Sequence, residues 1–236
     1  MCGENFLKRF VENLKGSEMP EGSENIYWED GSEISLSLML LVEKFGRIIT
    51  ARDFKMLGFD SPKEFYFLRC ELREDFLDRI LELCDKNTEN FDSEIKELAE
   101  QYITEEKRLR LLEEIENLME ILKKYQNSDL KRGARPYIEW EDGSQLGYGF
   151  ASHLGRRHII DFEKMGFKDM YEFYSVEKKV REKFLRMGVE LHKNIFGENP
   201  ENLPYEELKK RYEIFVERLK KIAEVAKMYV IKKSRS

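Results

Sequence analysis

Trp28-Glu29-Asp30-Gly31-Ser32 recurs in the same chain as Trp140-Glu141-Asp142-Gly143-Ser144, and that recurrence governs how the rest is read. Outward from it, Asp53-Phe54 with Gly58-Phe59 returns as Asp161-Phe162 with Gly166-Phe167, and Glu64-Phe65-Tyr66 returns as Glu172-Phe173-Tyr174. Arg73-Glu74 with Phe76-Leu77 matches Arg181-Glu182 with Phe184-Leu185. An internal period of this kind outranks local assignments, because each copy is one supersecondary unit. The expected organisation is an N-terminal helix and loop over 1–25, a first repeat over 26–126, a linker at 127–136 and a second repeat over 137–236. Gln126-Asn127-Ser128-Asp129 and Gly133-Ala134-Arg135-Pro136 break the helical pattern and place the linker.

Within a copy, helices are expected from apolar spacing and end signals. Phe6, Phe10 and Leu14 share one face of a short helix, and Ile26-Tyr27-Trp28 reads as a short extended piece. Asp30-Gly31-Ser32-Glu33 and Asp142-Gly143-Ser144-Gln145 have capping-box spacing. They predict a first helix with Ile34, Leu38, Leu41, Val42 and Phe45 on one side, stopped at Gly46, or at Gly155 in the second copy. Gly147 and Gly149 weaken that helix in the second copy. Thr50-Ala51-Arg52-Asp53 opens a short second helix that ends at Gly58. Ser61-Pro62-Lys63-Glu64 starts a third, with Pro at the first helical position. The third helix is expected to be long, its stripe being Phe65, Leu68, Leu72, Phe76, Ile80 and Leu83. In the second copy the stripe is Phe173, Val176, Val180, Phe184, Met187 and Leu191. Charged amphipathic helices over 94–125 and 205–231 close the copies. The expected fold class is all-α: a tandem duplication of a small three-helix, helix-turn-helix-like unit, each followed by a long amphipathic helix.

Composition bounds the function. Charged residues make up 37% of the 236-residue chain and Gln is scarce, a balance typical of heat-adapted proteins. Cys2, Cys70 and Cys84 form no CxxC or Cys/His cluster, which fits a reducing cytosol, and Cys70 and Cys84 are expected to be buried small apolar residues. No apolar run approaches a membrane span, so a cytoplasmic protein without a membrane partner is expected. The net charge of −6 argues against a generally basic nucleic-acid coat. The charge is unevenly shared: acids outnumber bases over 26–85, whereas the two balance over 138–193. Lys131, Arg132 and Arg135 precede the second copy, and Lys232, Lys233 and Arg235 follow it. A polyanion contact therefore belongs to the second copy.

Most repeated polar residues sit where helix starts want acceptors, Glu64 and Glu172 among them. A smaller set has no such explanation: Trp28/Trp140, Glu29/Glu141, Arg47/Arg156, Tyr66/Tyr174 and Arg73/Arg181. They are either a Trp plug with Glu–Arg ion pairs, or stacking surfaces with phosphate anchors.

Three functions follow. The first is nucleic-acid binding, DNA in particular, because Thr50 to Leu68 resembles a helix-turn-helix in its spacing. Lys63, Arg69 and Arg73 lie on or beside its second helix in copy one. The candidate contacts in copy two are Arg156, Arg157, Lys168, Lys178, Lys179, Arg181 and Lys183, with His158 and the linker's Lys131, Arg132 and Arg135. The second is a protein-interaction scaffold or homodimer built on the long helices. The third is a metal-dependent phosphodiesterase using Glu29, Asp30 and Asp53, or Glu141, Asp142 and Asp161, as carboxylate ligands. Against it, no His recurs at matched positions, and His153, His158 and His192 face Val42, Ile49 and Cys84 in the other copy. No phosphate loop, zinc spacing, nucleophile elbow or dinucleotide fingerprint is present. A non-catalytic binding protein with no cofactor is the expectation, nucleic acid its best specific ligand.

Overall fold

Phe6, Phe10 and Leu14 lie along helix α1 (Cys2–Leu14), which buries Leu7, Phe10, Val11 and Leu14. The computed structural model describes residues 2–15, 25–27, 33–35, 51–86, 90–126, 137–139, 145–147 and 159–229. After α1 come strands β1 (Asn25–Tyr27) and β2 (Glu33–Ser35), then α2 (Ala51–Lys55), α3 (Pro62–Phe67), α4 (Cys70–Lys86) and α5 (Phe91–Gln126). Strands β3 (Tyr137–Glu139) and β4 (Gln145–Gly147) follow, with α6 (Ile159–Lys164), α7 (Met170–Ser175), α8 (Lys178–Phe196), a 3-10 turn at Pro200–Asn202 and α9 (Tyr205–Lys227).

The described residues are mainly helical, and two short β pairs accompany the helices. β1 pairs antiparallel with β2, Tyr27 opposite Glu33, and β3 with β4, Glu139 opposite Gln145. This corrects the capping boxes expected at Asp30 and Asp142. Glu33 and Gln145 sit in strands instead of the first turn of a helix, and Ile34 with them. Asp30-Gly31 and Asp142-Gly143 themselves lie outside the described residues. The remainder of that expected helix, with Gly46 and Gly155, lies outside the described residues.

The short second helix ends as its glycine requires. Gly58 has φ 81° and Gly166 φ 94°. In the first case the Gly58 N–H donates to Lys55 C=O and the Phe59 N–H to Phe54 C=O. In the second, Gly166 donates to Glu163 and Phe167 to Phe162. These paired bonds close the last carbonyls of the helix in a Schellman arrangement. Bare backbone at the glycine also lets the closing helix come close: a Cβ on Gly58 would lie 2.8 Å from Ala99 Cβ, and one on Gly166 3.0 Å from Ala223 Cβ.

The next helix starts as its sequence directs. The Ser61 hydroxyl accepts from the Glu64 N–H at 3.3 Å, and Glu64 accepts from the Asp60 N–H at 2.7 Å. Asp169 does the same for Glu172, which accepts from the Lys168 N–H. Pro62 occupies the first turn, where its missing N–H costs nothing.

The long third helix is in fact two. Leu68 turns extended at ψ 137° and separates α3 from α4; Val176, at ψ 142°, separates α7 from α8. The apolar stripe runs unbroken across both junctions, so periodicity alone does not reveal them. A break frees backbone groups, and a buried arginine takes up the carbonyls. The Arg73 guanidinium donates to Leu68 C=O at 3.2 Å and lies 5.1 Å over the Tyr66 ring. Arg181 donates to the carbonyls of Tyr174 and Val176 and lies 5.0 Å over the Tyr174 ring. The freed amides have acceptors too. The Arg69 N–H and Nε donate to buried Glu106 at 2.9 and 3.1 Å, and the Glu177 N–H donates to Tyr229 C=O at 3.1 Å.

The chain divides into two compact units, Met1–Lys107 and Arg108–Ser236, so the division falls inside α5 and not at 127–136. Composition marks where the helical pattern ends, whereas the cores change partner halfway along α5. Ile95 and Ala99 belong to the first core, and Ile115, Leu118, Ile121, Leu122 and Tyr125 to the second. Helix α1 is likewise part of the first core and not a separate preface. Each core centres on an aromatic cluster of one geometry. Phe59 meets Phe65 and Phe76 edge-on at 5.3 and 5.1 Å; Phe167 meets Phe173 and Phe184 edge-on at 5.0 and 5.2 Å. Edge-to-face contacts of this kind add to plain area burial.

Two outcomes follow from these contacts. Gly58→Ala and Gly166→Ala each lose about 1–3 kcal/mol from the positive φ alone, read by urea unfolding. Gly58→Ala is the more costly, since its Cβ would also meet Lys96 Cα at 3.1 Å and Ile95 O at 3.2 Å. Arg181→Leu strands two buried carbonyls and costs about 3 kcal/mol, and Arg181→Lys, a point charge without the fork, recovers only part of that.

Candidate nucleic-acid interface

Helix α8 has an apolar inner face and a cationic outer one. Arg181, Phe184, Leu185, Gly188, His192 and Phe196 are buried, while Lys178, Lys179, Lys183, Arg186 and Lys193 are exposed. At 100° per residue, Lys179, Lys183, Arg186 and Lys193 fall on one strip, interrupted by Glu190. None of these four cations has an ion pair among the described residues.

Helix α4 is its counterpart, and pairing Arg73 with Arg181 fixes the register. Lys179 then stands where α4 has Glu71, Lys183 where it has Asp75, Arg186 where it has Asp78 and Lys193 where it has Asp85. Four outward positions have reversed sign on helices whose inner faces share Arg73 with Arg181, Phe76 with Phe184 and Leu77 with Leu185. The acids of α4 are largely occupied at home. Lys8 pairs with Asp85 at 2.8 Å, Lys15 with Asp78, and the Tyr102 hydroxyl donates to Asp75. Burial first, and Asp75 second, push the Tyr102 phenol up to about 12.

The arginine expected at the interface lies inside. Arg181 is buried, as is Arg73, and both serve the helix junctions described above. Tyr66 is half-buried and Tyr174 buried, each under its arginine, so neither ring is an open stacking platform. Lys168 is exposed beside the α7 cap. Trp28, Trp140, Glu29, Glu141, Arg47, Arg156, Arg157, Lys131, Arg132 and Arg135 lie outside the described residues, as do Asp30, Asp142, His153 and His158. Arg186 and Lys193 escaped the sequence reading. A residue-by-residue comparison of the two stripes, carried past the apolar positions to the outward ones, is the signal that exposes them.

The helix-turn-helix expectation changes as well. Helix α3 has six residues, about 9 Å of helix, and α7 the same. Of the cations expected on the reading helix, only Lys63 is on α3. Arg69 is at the junction, bound to Glu106, and Arg73 is in the core. Helix α7 carries Glu172 and no Lys or Arg, so the cations of the second copy lie past the break, on α8.

At the C-terminal end of the strip a cleft of about 860 Å³ opens between α5 and α8. Leu112, Ile115 and Met119 line one wall, His192, Lys193 and Gly197 another, and Lys123, Glu116, Glu198, Pro200 and Glu201 complete it. His192 is itself mostly buried, its Nε2 3.3 Å from Ile115 O and its ring against Phe196 and Phe215 at 4.8 and 5.5 Å.

The carboxylates expected to hold a metal do not gather among the described residues. Asp53 is buried, and Asp161 accepts from the Tyr125 hydroxyl at 3.4 Å and pairs with Lys124 at 3.6 Å. No group of three or more His, Cys, Asp or Glu able to hold a metal occurs among the described residues. Cys70 is exposed and Cys84 half-buried, correcting the expectation that both are core residues. Among the described residues no helix is long and apolar enough to cross a membrane. Comparison with protein-family models, curated proteins and solved structures finds no match to this chain.

His192 makes stability depend on pH. Burial, aided by Lys123, lowers its pKa below the ordinary 6.5, against a smaller raising effect of the Ile115 hydrogen bond. The unfolded chain therefore binds this proton more readily than the folded one, and His192 lends stability above pH 6.5 that is lost as the pH falls below it. Urea midpoints of the wild type are expected to fall from pH 7 to pH 5, and His192→Leu to flatten that fall whatever its own stability.

Proposed function

We propose that the chain is a non-catalytic binding protein, a tandem duplication of one helical unit, that holds nucleic acid on the outer face of α8. The observation that carries this reading is the reversal of charge at matched positions of α4 and α8. A face whose acids are held by Lys8, Lys15 and Tyr102 in one unit is, in the other, a strip of cations that have no ion pair among the described residues. Free cations in a row attract phosphates by release of their condensed counterions, and this attraction survives an overall charge of −6 because screening confines each unit's field to about a nanometre.

Duplication is supported by parallel details in the two units: the same Schellman closure, the same aromatic triad, the same arginine over the same tyrosine. The binding surface proposed is the strip of Lys179, Lys183, Arg186 and Lys193, and not a helix-turn-helix reading head. A scaffold role for the long helices has less support, since α5 and α9 spend their stripes on the cores.

The triple variant Lys179→Glu, Lys183→Glu, Arg186→Glu tests the reading by fluorescence anisotropy against labelled nucleic acid at low and near-physiological salt. A loss of tenfold or more in affinity, with a flatter salt dependence, is expected. Equal affinity of variant and wild type would sink it.

A further inference from the structure

The strip and the cleft share Lys193, and this continuity points to one ligand for both. Resting on the reading of α8 as a nucleic-acid surface, we propose that the ligand is a single strand, its phosphates on Lys179, Lys183 and Arg186 and one unstacked base in the cleft beside His192. From Lys179 to Lys193 the strip rises fourteen residue steps, about 21 Å of helix, enough for a few nucleotides of backbone.

The lining of the cleft suits a base, with Lys123 and Lys193 at hand for the phosphates on either side of it. Its walls of Leu112, Ile115 and Met119 are apolar, as a base face requires. Glu116 and Glu198 would repel a phosphate, yet a carboxylate accepts hydrogen bonds from the exocyclic amines of adenine, guanine or cytosine. A duplex keeps its bases paired and stacked inward, so it engages the strip alone and leaves the cleft empty.

The test compares three labelled probes on the full chain by anisotropy in about 50 mM salt, where phosphate contacts are strong. They are a twelve-nucleotide oligo-deoxyadenylate, an abasic strand with the same phosphates, and a twelve-base-pair duplex. The adenylate strand is expected to bind about tenfold tighter than the abasic strand, the scale of one stacked base, and tighter than the duplex. Leu112→Trp, which fills the cleft without altering charge, should erase the preference for adenylate and leave abasic binding as it was. The wild-type comparison decides the matter if that variant does not fold. Equal binding of adenylate and abasic strands, or tighter binding of the duplex, overturns the cleft assignment while leaving α8 as a nucleic-acid surface. Binding of none of the three overturns both.

Discussion

A guanidinium is costly to remove from water unless its donors find acceptors, and a broken helix is costly unless its carbonyls find donors. Arg73 and Arg181 settle both costs at once. Each guanidinium lies over a tyrosine from the helix before the break and bonds to carbonyls at the break itself. The junction then becomes a fixed angle, and that angle lets Phe65 and Phe76, or Phe173 and Phe184, converge on the phenylalanine that follows the positive-φ glycine. The glycine in turn admits the closing helix to contact. Arginine, tyrosine, glycine and aromatic triad thus form one interdependent set, present in both units.

That set is also the reason much of the fold is legible in the sequence. Ser61-Pro62-Lys63-Glu64 and Gly58 announce a helix start and a helix stop by mechanisms local to a few residues, and both are where the chain places them. The junctions at Leu68 and Val176 are not legible, because neither Pro nor Gly marks them and the apolar stripe crosses without a missed step. The clue was the arginine beside the stripe, which reads as a surface charge until its carbonyl partners are seen. Asp30-Gly31 was ambiguous for another reason: one dipeptide serves a helix cap and a strand connection equally well. The unit boundary inside α5 leaves no mark in the sequence, because α5 remains helical while its buried face passes from one core to the other.

The candidate interface was half legible. Charge imbalance between the copies points to the second, and Lys178 and Lys179, named from the sequence, are exposed. Arg181 was not, since repetition in both copies signals what folding needs and says little of what binding needs. On the proposed reading, binding is written instead where the copies differ. The inner faces of α4 and α8 share Arg73 with Arg181, Phe76 with Phe184 and Leu77 with Leu185, whereas the exposed Glu71, Asp75, Asp78 and Asp85 match Lys179, Lys183, Arg186 and Lys193 in register. Exposed positions tolerate substitution with little change in stability, so two helices with similar inner faces can carry opposite fields without a change of fold.

The central claim is that the outward face of α8, and not that of α4, is the binding surface. Amide chemical-shift mapping of the isotope-labelled full chain, titrated with a short single-stranded oligonucleotide, tests it most directly. The account predicts shifts concentrated on residues 178–198 with the amides of 70–86 unmoved. Shifts centred on α4, or spread evenly over both helices, would contradict it.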